Sequence, residues 1–256
     1  MIFIKKRVIV FKKHSIMKQK LLLEMLSTTI QELRANGQWG TAHVYRSARN
    51  SFSTFNNNKD IPFYKLDPNL LKSFEIYLRQ RKCSWNTVST YIKTIRSVYH
   101  RAVDMKCARY IPRLFEHVYT GTRADRKKSL ETSDISYLVR QTEMSIQETN
   151  YLSQNQQTKV FFVLMFMLRG IPFVDLVHLR KTDMRYNTIH YHRHKTRQQL
   201  SVYIEPYAAD ILHRYTDKRS KSPYLLPILS STGAEGYRQY KSALRLYNQQ
   251  SRRPSG

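Results

Sequence analysis

The sequence predicts a mainly α protein with one small antiparallel sheet in its second half. Three observations carry this. Apolar residues recur at helical spacing through most of the chain. The period changes to two only after Asp183. Glycine, at 7 of 256 residues, is too scarce for an all-β architecture or a glycine-rich nucleotide loop. The 41% hydrophobic and 12% aromatic content supplies a core, and the length suits one large domain or two modest ones.

Residues 1–16 alternate apolar and basic side chains and lack the uninterrupted apolar stretch of a secretion signal. They read as a basic N-terminal extension, either upstream of a start at Met17 or an arm that touches phosphate. Residues 17–118 read as a helical domain. A first helix over 18–35 stops at Asn36-Gly37. Thr41 is expected to cap a second helix, with Val44, Ala48, Phe52 and Phe55 on one side and Arg46 and Arg49 on the other. Asp67-Pro68 reads as N-cap and first helical residue of a third, carrying Leu71, Phe74 and Leu78. Ser84 heads the clearest helix, where Val88, Tyr91, Ile92, Ile95, Val98, Tyr99 and Ala102 form one apolar stripe. Lys93, Arg96, His100 and Arg101 lie off that stripe, as a solvated face or as one that contacts phosphate.

Residues 119–128 are polar and basic, with Arg123, Arg126, Lys127 and Lys128 around Gly121. They read as a linker suited to lie along a nucleic-acid backbone. In 129–256 a capped helix at Thr132–Gln141, a polar loop from Asn150 to Thr158 and a buried helix ending at Arg169 come first. Pro172 starts a short helix. Ile189, Tyr191 and Arg193 then alternate with His190, His192 and His194. A turn at Lys195–Gln198 leads to a second strand with Leu200, Val202 and Ile204. Helix resumes at Pro206. In the last helix Tyr237, Tyr240, Leu244 and Tyr247 share one side and read as core, and Pro254 closes it.

The chain has 44 Lys+Arg against 18 Asp+Glu, a net charge of +26 and a pI near 10.2. That favours a polyanionic partner over a small neutral substrate. The longest apolar run, Val160 to Leu168, falls far short of the roughly 20 residues a membrane span needs. Cys83 and Cys107 make no disulfide framework and lack metal spacing. Three alternating histidines can share a metal. Arg193 and Lys195 interleave repelling charge, however, and no Cys or carboxylate is close in sequence, so these histidines read as DNA-facing and no metal site is assigned. Arg169, at the end of an apolar helix, must emerge from the core or meet an anion. That anion is either Asp175 or a phosphate, which a guanidinium grips with two parallel hydrogen bonds. Lys195 gains meaning if its hairpin folds toward the same anion.

FMLRGIPFVDLVHLRKTDM, followed by IHYHRHKTRQQLSVYI, resembles the tyrosine recombinase (phage integrase) family, in its Bacteroides-type integrase branch. The resemblance runs from about residue 20 to 250. Leu21–Val103 looks like the family's SAM-like core-binding domain, YIPRLFEHVYTGTRADRKKSLE like its inter-domain linker, and the rest like an α-rich catalytic domain with a small sheet. The resemblance implies two domains that clamp duplex DNA and a tyrosine that attacks the scissile phosphate without metal or nucleotide cofactor. Arg169 matches the arginine that stabilises the transition-state charge. Lys195 matches the lysine that protonates the leaving oxygen. Asp175 has a supporting role, and Arg193 and Arg197 join the DNA-contacting set.

The family's His-x-x-Arg element and later nucleophilic tyrosine have no match after YKSALRLYNQQ. The expectation is therefore a DNA-binding recombinase homologue with an incomplete catalytic set. Its rivals are a non-catalytic DNA-binding protein that competes for recombination sites and a basic RNA-binding protein. The expected partner is duplex DNA, with self-association on it, no membrane and no small-molecule substrate, in the bacterial cytoplasm with the nucleoid.

Overall fold

The structure, a computed structural model, describes residues 20–124, 131–148, 154–219 and 221–251. The N-terminal extension 1–16 and the cations Arg126, Lys127 and Lys128 lie outside the described residues, as does Pro254. The chain divides into two compact units, Met1–Arg126 and Lys127–Gly256.

The first unit is built from α1 (Leu22–Ala35), α2 (Trp39–Phe55), α3 (Pro68–Gln80) and α4 (Trp85–Asp104). Leu21 at the start of α1 offers no capping side chain. The open N–H groups of Leu23 and Glu24 are met instead by Asp60, at 2.7 and 2.9 Å. That remote carboxylate also suits the positive end of the helix dipole. Gly37 follows α1 at φ +70°, the left-handed turn that lets the Gln38 N–H close on the Leu33 carbonyl at 2.8 Å. The second helix starts at Trp39 rather than after a Thr41 cap, because this tight turn re-enters helix at once. Asp67 caps α3 through the Leu70 N–H at 2.8 Å, and Ser84 caps α4 through the Thr87 N–H at 3.2 Å.

The expected stripe of α4 is the centre of the core. Val88, Ile92, Ile95, Val98, Tyr99 and Ala102 are buried together with Leu26, Phe52, Leu71, Phe74 and Leu78. Phe74 meets Phe52 edge-on at 5.1 Å. The Tyr99 hydroxyl donates to the Arg109 carbonyl at 2.9 Å and accepts from the Ile111 N–H at 2.6 Å, which fixes the chain leaving α4.

The second unit contains α5 (Thr132–Glu148), α6 (Gln154–Met167), α7 (Phe173–His178), a three-stranded antiparallel sheet, α8 (Pro206–Tyr215) and α9 (Gly233–Gln250). Residues 154–158, expected as loop, already belong to α6. The sheet is β1 (Met184–Arg185), β2 (Thr188–His192) and β3 (Gln199–Tyr203), with Ile189 opposite Val202 and Tyr191 opposite Leu200. The short β1 was not visible as a period in the sequence. Ile189, Tyr191 and Val202 face a core with Leu164, Leu168, Leu176, Ile211 and Leu212. Tyr240, Leu244 and Tyr247 of α9 pack on a smaller cluster around Phe173 and Val177. Among the described residues no helix is long and apolar enough to cross a membrane.

Candidate nucleic-acid interface

Helix α6 runs out of apolar residues at Leu168, and the chain must turn. It does so through two left-handed residues, Arg169 at φ +60° and Gly170 at φ +75°. The Gly170 N–H closes on the Met165 carbonyl at 2.9 Å, so the turn satisfies an otherwise open helix end. Arg169 is exposed at this corner. Three residues later Pro172 stands at the N-cap of α7.

Asp175 of α7 is 3% exposed. Its cation is Arg193, with Nε 4.0 Å from Oδ2, and not Arg169. Its Oδ1 accepts the His194 N–H at 2.8 Å. The regular strand therefore ends at His192. Arg193 and His194 do not continue the predicted alternation, because the buried carboxylate draws the backbone into a loop. Within it the Arg193 N–H donates to the Gln198 carbonyl and the Arg197 N–H to the Arg193 carbonyl, both at 2.8 Å. Lys195, Thr196 and Arg197 are exposed at the tip. Arg169 and Lys195 are thus both tied to α7, one by chain continuity and the other through Asp175.

The ring of His194 stands edge-on to that of His178 at 4.9 Å. The Val174 carbonyl at 2.7 Å can only accept, so Nδ1 of His178 carries a proton there. Burial holds the His178 pKa below the usual histidine value. On the outer sheet face His190 and His192 are exposed, and His190 Nδ1 lies 2.8 Å from the Ser201 hydroxyl. The described residues contain no cluster of metal-ligating side chains.

The Asp175 carboxylate is the part of the site that sequence spacing least reveals. Asp175→Ala should leave the His194 N–H without its partner and cost the second unit about 1–3 kcal/mol. Hydrogen exchange at residues 193–198 should accelerate, while Asp175→Asn, which keeps an acceptor, should change it much less. Unaltered exchange in Asp175→Ala would show that the tip is held by other contacts.

The basic residues of the first unit differ in exposure and in the partners they meet. Arg46 and Lys93 are exposed, and Arg96 is half-buried. Arg46 reaches His43 Nδ1 at 3.1 Å. Arg49 turns toward α1 and donates to the Ser27 hydroxyl at 2.7 Å. Arg101 grips Glu32 of α1 with two bonds, at 2.5 and 2.8 Å, and the pair holds the Glu32 carboxyl below its ordinary value. Neither Arg49 nor Arg101 stands on a simple outward face, because each finds a partner on α1 far away in sequence. Arg123 is held against Trp85, with its guanidinium over the indole.

Residues 21–116 match the model of the phage integrase SAM-like domain. Among solved structures, the chain resembles a lambda integrase dimer bound to a COC′ core site, with TM-score 0.57 and 11% identity over 90% of this chain and 64% of that one. It resembles a lambda integrase tetramer bound to a Holliday junction, with TM-score 0.60 and 10% identity over 93% of this chain and 68% of that one. It also resembles the Tn1549 transposon integrase in complex with transposon right end DNA, with TM-score 0.56 and 12% identity over 79% of this chain and 67% of that one. No curated protein sequence matches the chain significantly. The chain spans 64% of the length of the first of these integrases. Its fold is that of these integrases. More narrowly, its first unit carries a phage integrase SAM-like domain.

Proposed function

We propose that this chain binds duplex DNA in the manner of a tyrosine recombinase, with Arg169 and Lys195 at one backbone phosphate. The observation that carries the reading is the Asp175 contact, which ties the Lys195 loop to the helix that follows Arg169. A net charge of +26 and the likeness to integrases solved with DNA support it. In this reading 17–118 is a DNA-gripping helical domain, 119–128 a basic linker, and 129–256 the part that meets the phosphate. Arg169 supplies paired donors and a fixed positive charge. Lys195 holds a proton that it can offer to a departing oxygen. Self-association on DNA and a place with the bacterial chromosome follow from the same reading.

The proposed activity is holding and not cutting. Tyr240 and Tyr247 are half-buried, and Tyr247 stacks on Phe173 at 4.8 Å. Burial raises the pKa of both phenols, the wrong direction for a nucleophile. This also keeps in view the alternative of a non-catalytic protein that occupies recombination sites.

The test is a titration of the purified chain with duplex DNA and with structured RNA of equal length at matched salt. Duplex DNA should bind more tightly. Arg169→Ala and Lys195→Ala should each weaken duplex binding several-fold, with unchanged circular dichroism. Equal affinity for RNA would favour a general polyanion binder. Unchanged affinity in a folded Arg169→Ala would remove the phosphate role of that residue.

A further inference from the structure

The chain leaving the first unit is fastened at three successive places. Lys72 Nζ donates to Glu75 Oε1 at 2.5 Å and to the His117 carbonyl at 3.3 Å. The other oxygen of Glu75, a residue only 4% exposed, accepts the Tyr119 N–H at 2.5 Å. The Asn86 carboxamide then grips the backbone of Arg123 from both sides. It accepts the Arg123 N–H and donates to the Arg123 carbonyl, each at 2.9 Å. A neighbouring β-strand would offer the same pair of bonds.

This grip delivers the Arg123 side chain to Trp85, the residue before Asn86. The guanidinium carbon sits 4.8 Å from the indole centroid, and that of Arg79 sits 4.5 Å from it. Both guanidinium groups are therefore within cation–π distance of one indole. The Tyr119 ring closes the cluster edge-on to Trp85 at 5.0 Å. Arg79 also donates one N–H to the Cys83 carbonyl. Among the described residues neither arginine is paired with a carboxylate. Both are exposed, and each guanidinium has five N–H donors, of which stacking uses none.

Folding has therefore brought two cations together without an anion and has already ordered both side chains. We propose that Arg79 and Arg123, set on Trp85, form a DNA backbone-phosphate site at the root of the linker, and that Asn86 is its positioning residue. Phosphate is the ligand because it accepts hydrogen bonds in the guanidinium plane while the indole keeps the ring face. Restraint of the side chains before binding lowers the ordering cost at the moment of contact. The inference rests on the duplex-DNA reading given above.

The experiment measures duplex affinity of the full chain across a salt series. Arg79→Ala and Arg123→Ala should each reduce the slope of log K against log salt by about 1. Asn86→Ala keeps both charges, so its slope should stay while its affinity falls about two- to twelvefold, the cost of ordering one long side chain. Arg123→Gln, whose stem still lies on Trp85, replaces the alanine variant if that one melts early. A steep wild-type slope left unchanged by both arginine substitutions would overturn this site and leave the duplex reading intact. A wild-type chain that does not bind duplex DNA would overturn both.

Discussion

Affinity of the full chain for duplex DNA is expected to fall by about three to five decades between roughly 50 and 200 mM salt. Such a loss corresponds to about 6–10 phosphates whose counterions are released on binding. The exposed cations named above, Arg46, Lys93, Arg123, Arg169, Lys195 and Arg197, already reach the lower end of that range. The structure also says which cations should contribute least. Arg101 is held by Glu32, and Arg219 by Asp217 at 2.7 Å. Arg101→Ala should therefore lower stability while leaving the salt slope nearly as it was. A binding curve insensitive to salt would contradict a phosphate-dominated interface.

Phe74→Ala is expected to cost about 3–5 kcal/mol, a large share of the roughly 5–15 kcal/mol that holds a domain folded. Phe74 is fully buried, meets Phe52 edge-on and lies 5.3 Å from the ring of Phe55. These residues come from helices α2 and α3, so no single side chain can move in to fill the cavity. Denaturant unfolding of the full chain should show the first unit melting early, followed by circular dichroism. An exposed control such as Lys93→Ala should shift the transition by less than about 0.5 kcal/mol. Equal shifts for the two variants would show that the aromatic cluster contributes little to this core.

Much of the fold was legible because it obeys local rules. The stripe on α4, the caps at Asp67 and Ser84, and the change of period after Asp183 depend on residues a few positions apart. The start of α2 and the true length of α6 were less legible, since helix ends balance small competing preferences. At the candidate site, Arg169 and Lys195 could be named from their motif. The remaining contacts join distant positions. Asp175 with His194, Arg101 with Glu32, and Asn86 with Arg123 each depend on packing that brings separate helices or loops together. A carboxylate or carboxamide in the sequence carries no mark of the backbone it will meet.

The conformation of Arg169 sets two demands on one position against each other. A residue with a Cβ at φ +60° costs about 1–2 kcal/mol that glycine would largely avoid. Selection for thermostability alone would therefore drift toward glycine at this corner, and a consensus-guided redesign would be tempted to install it. The gain would be real in a melting experiment and would remove the one guanidinium at the end of α6. Residue 169 is thus a place where a more stable variant is expected to be a poorer ligand for polyanions.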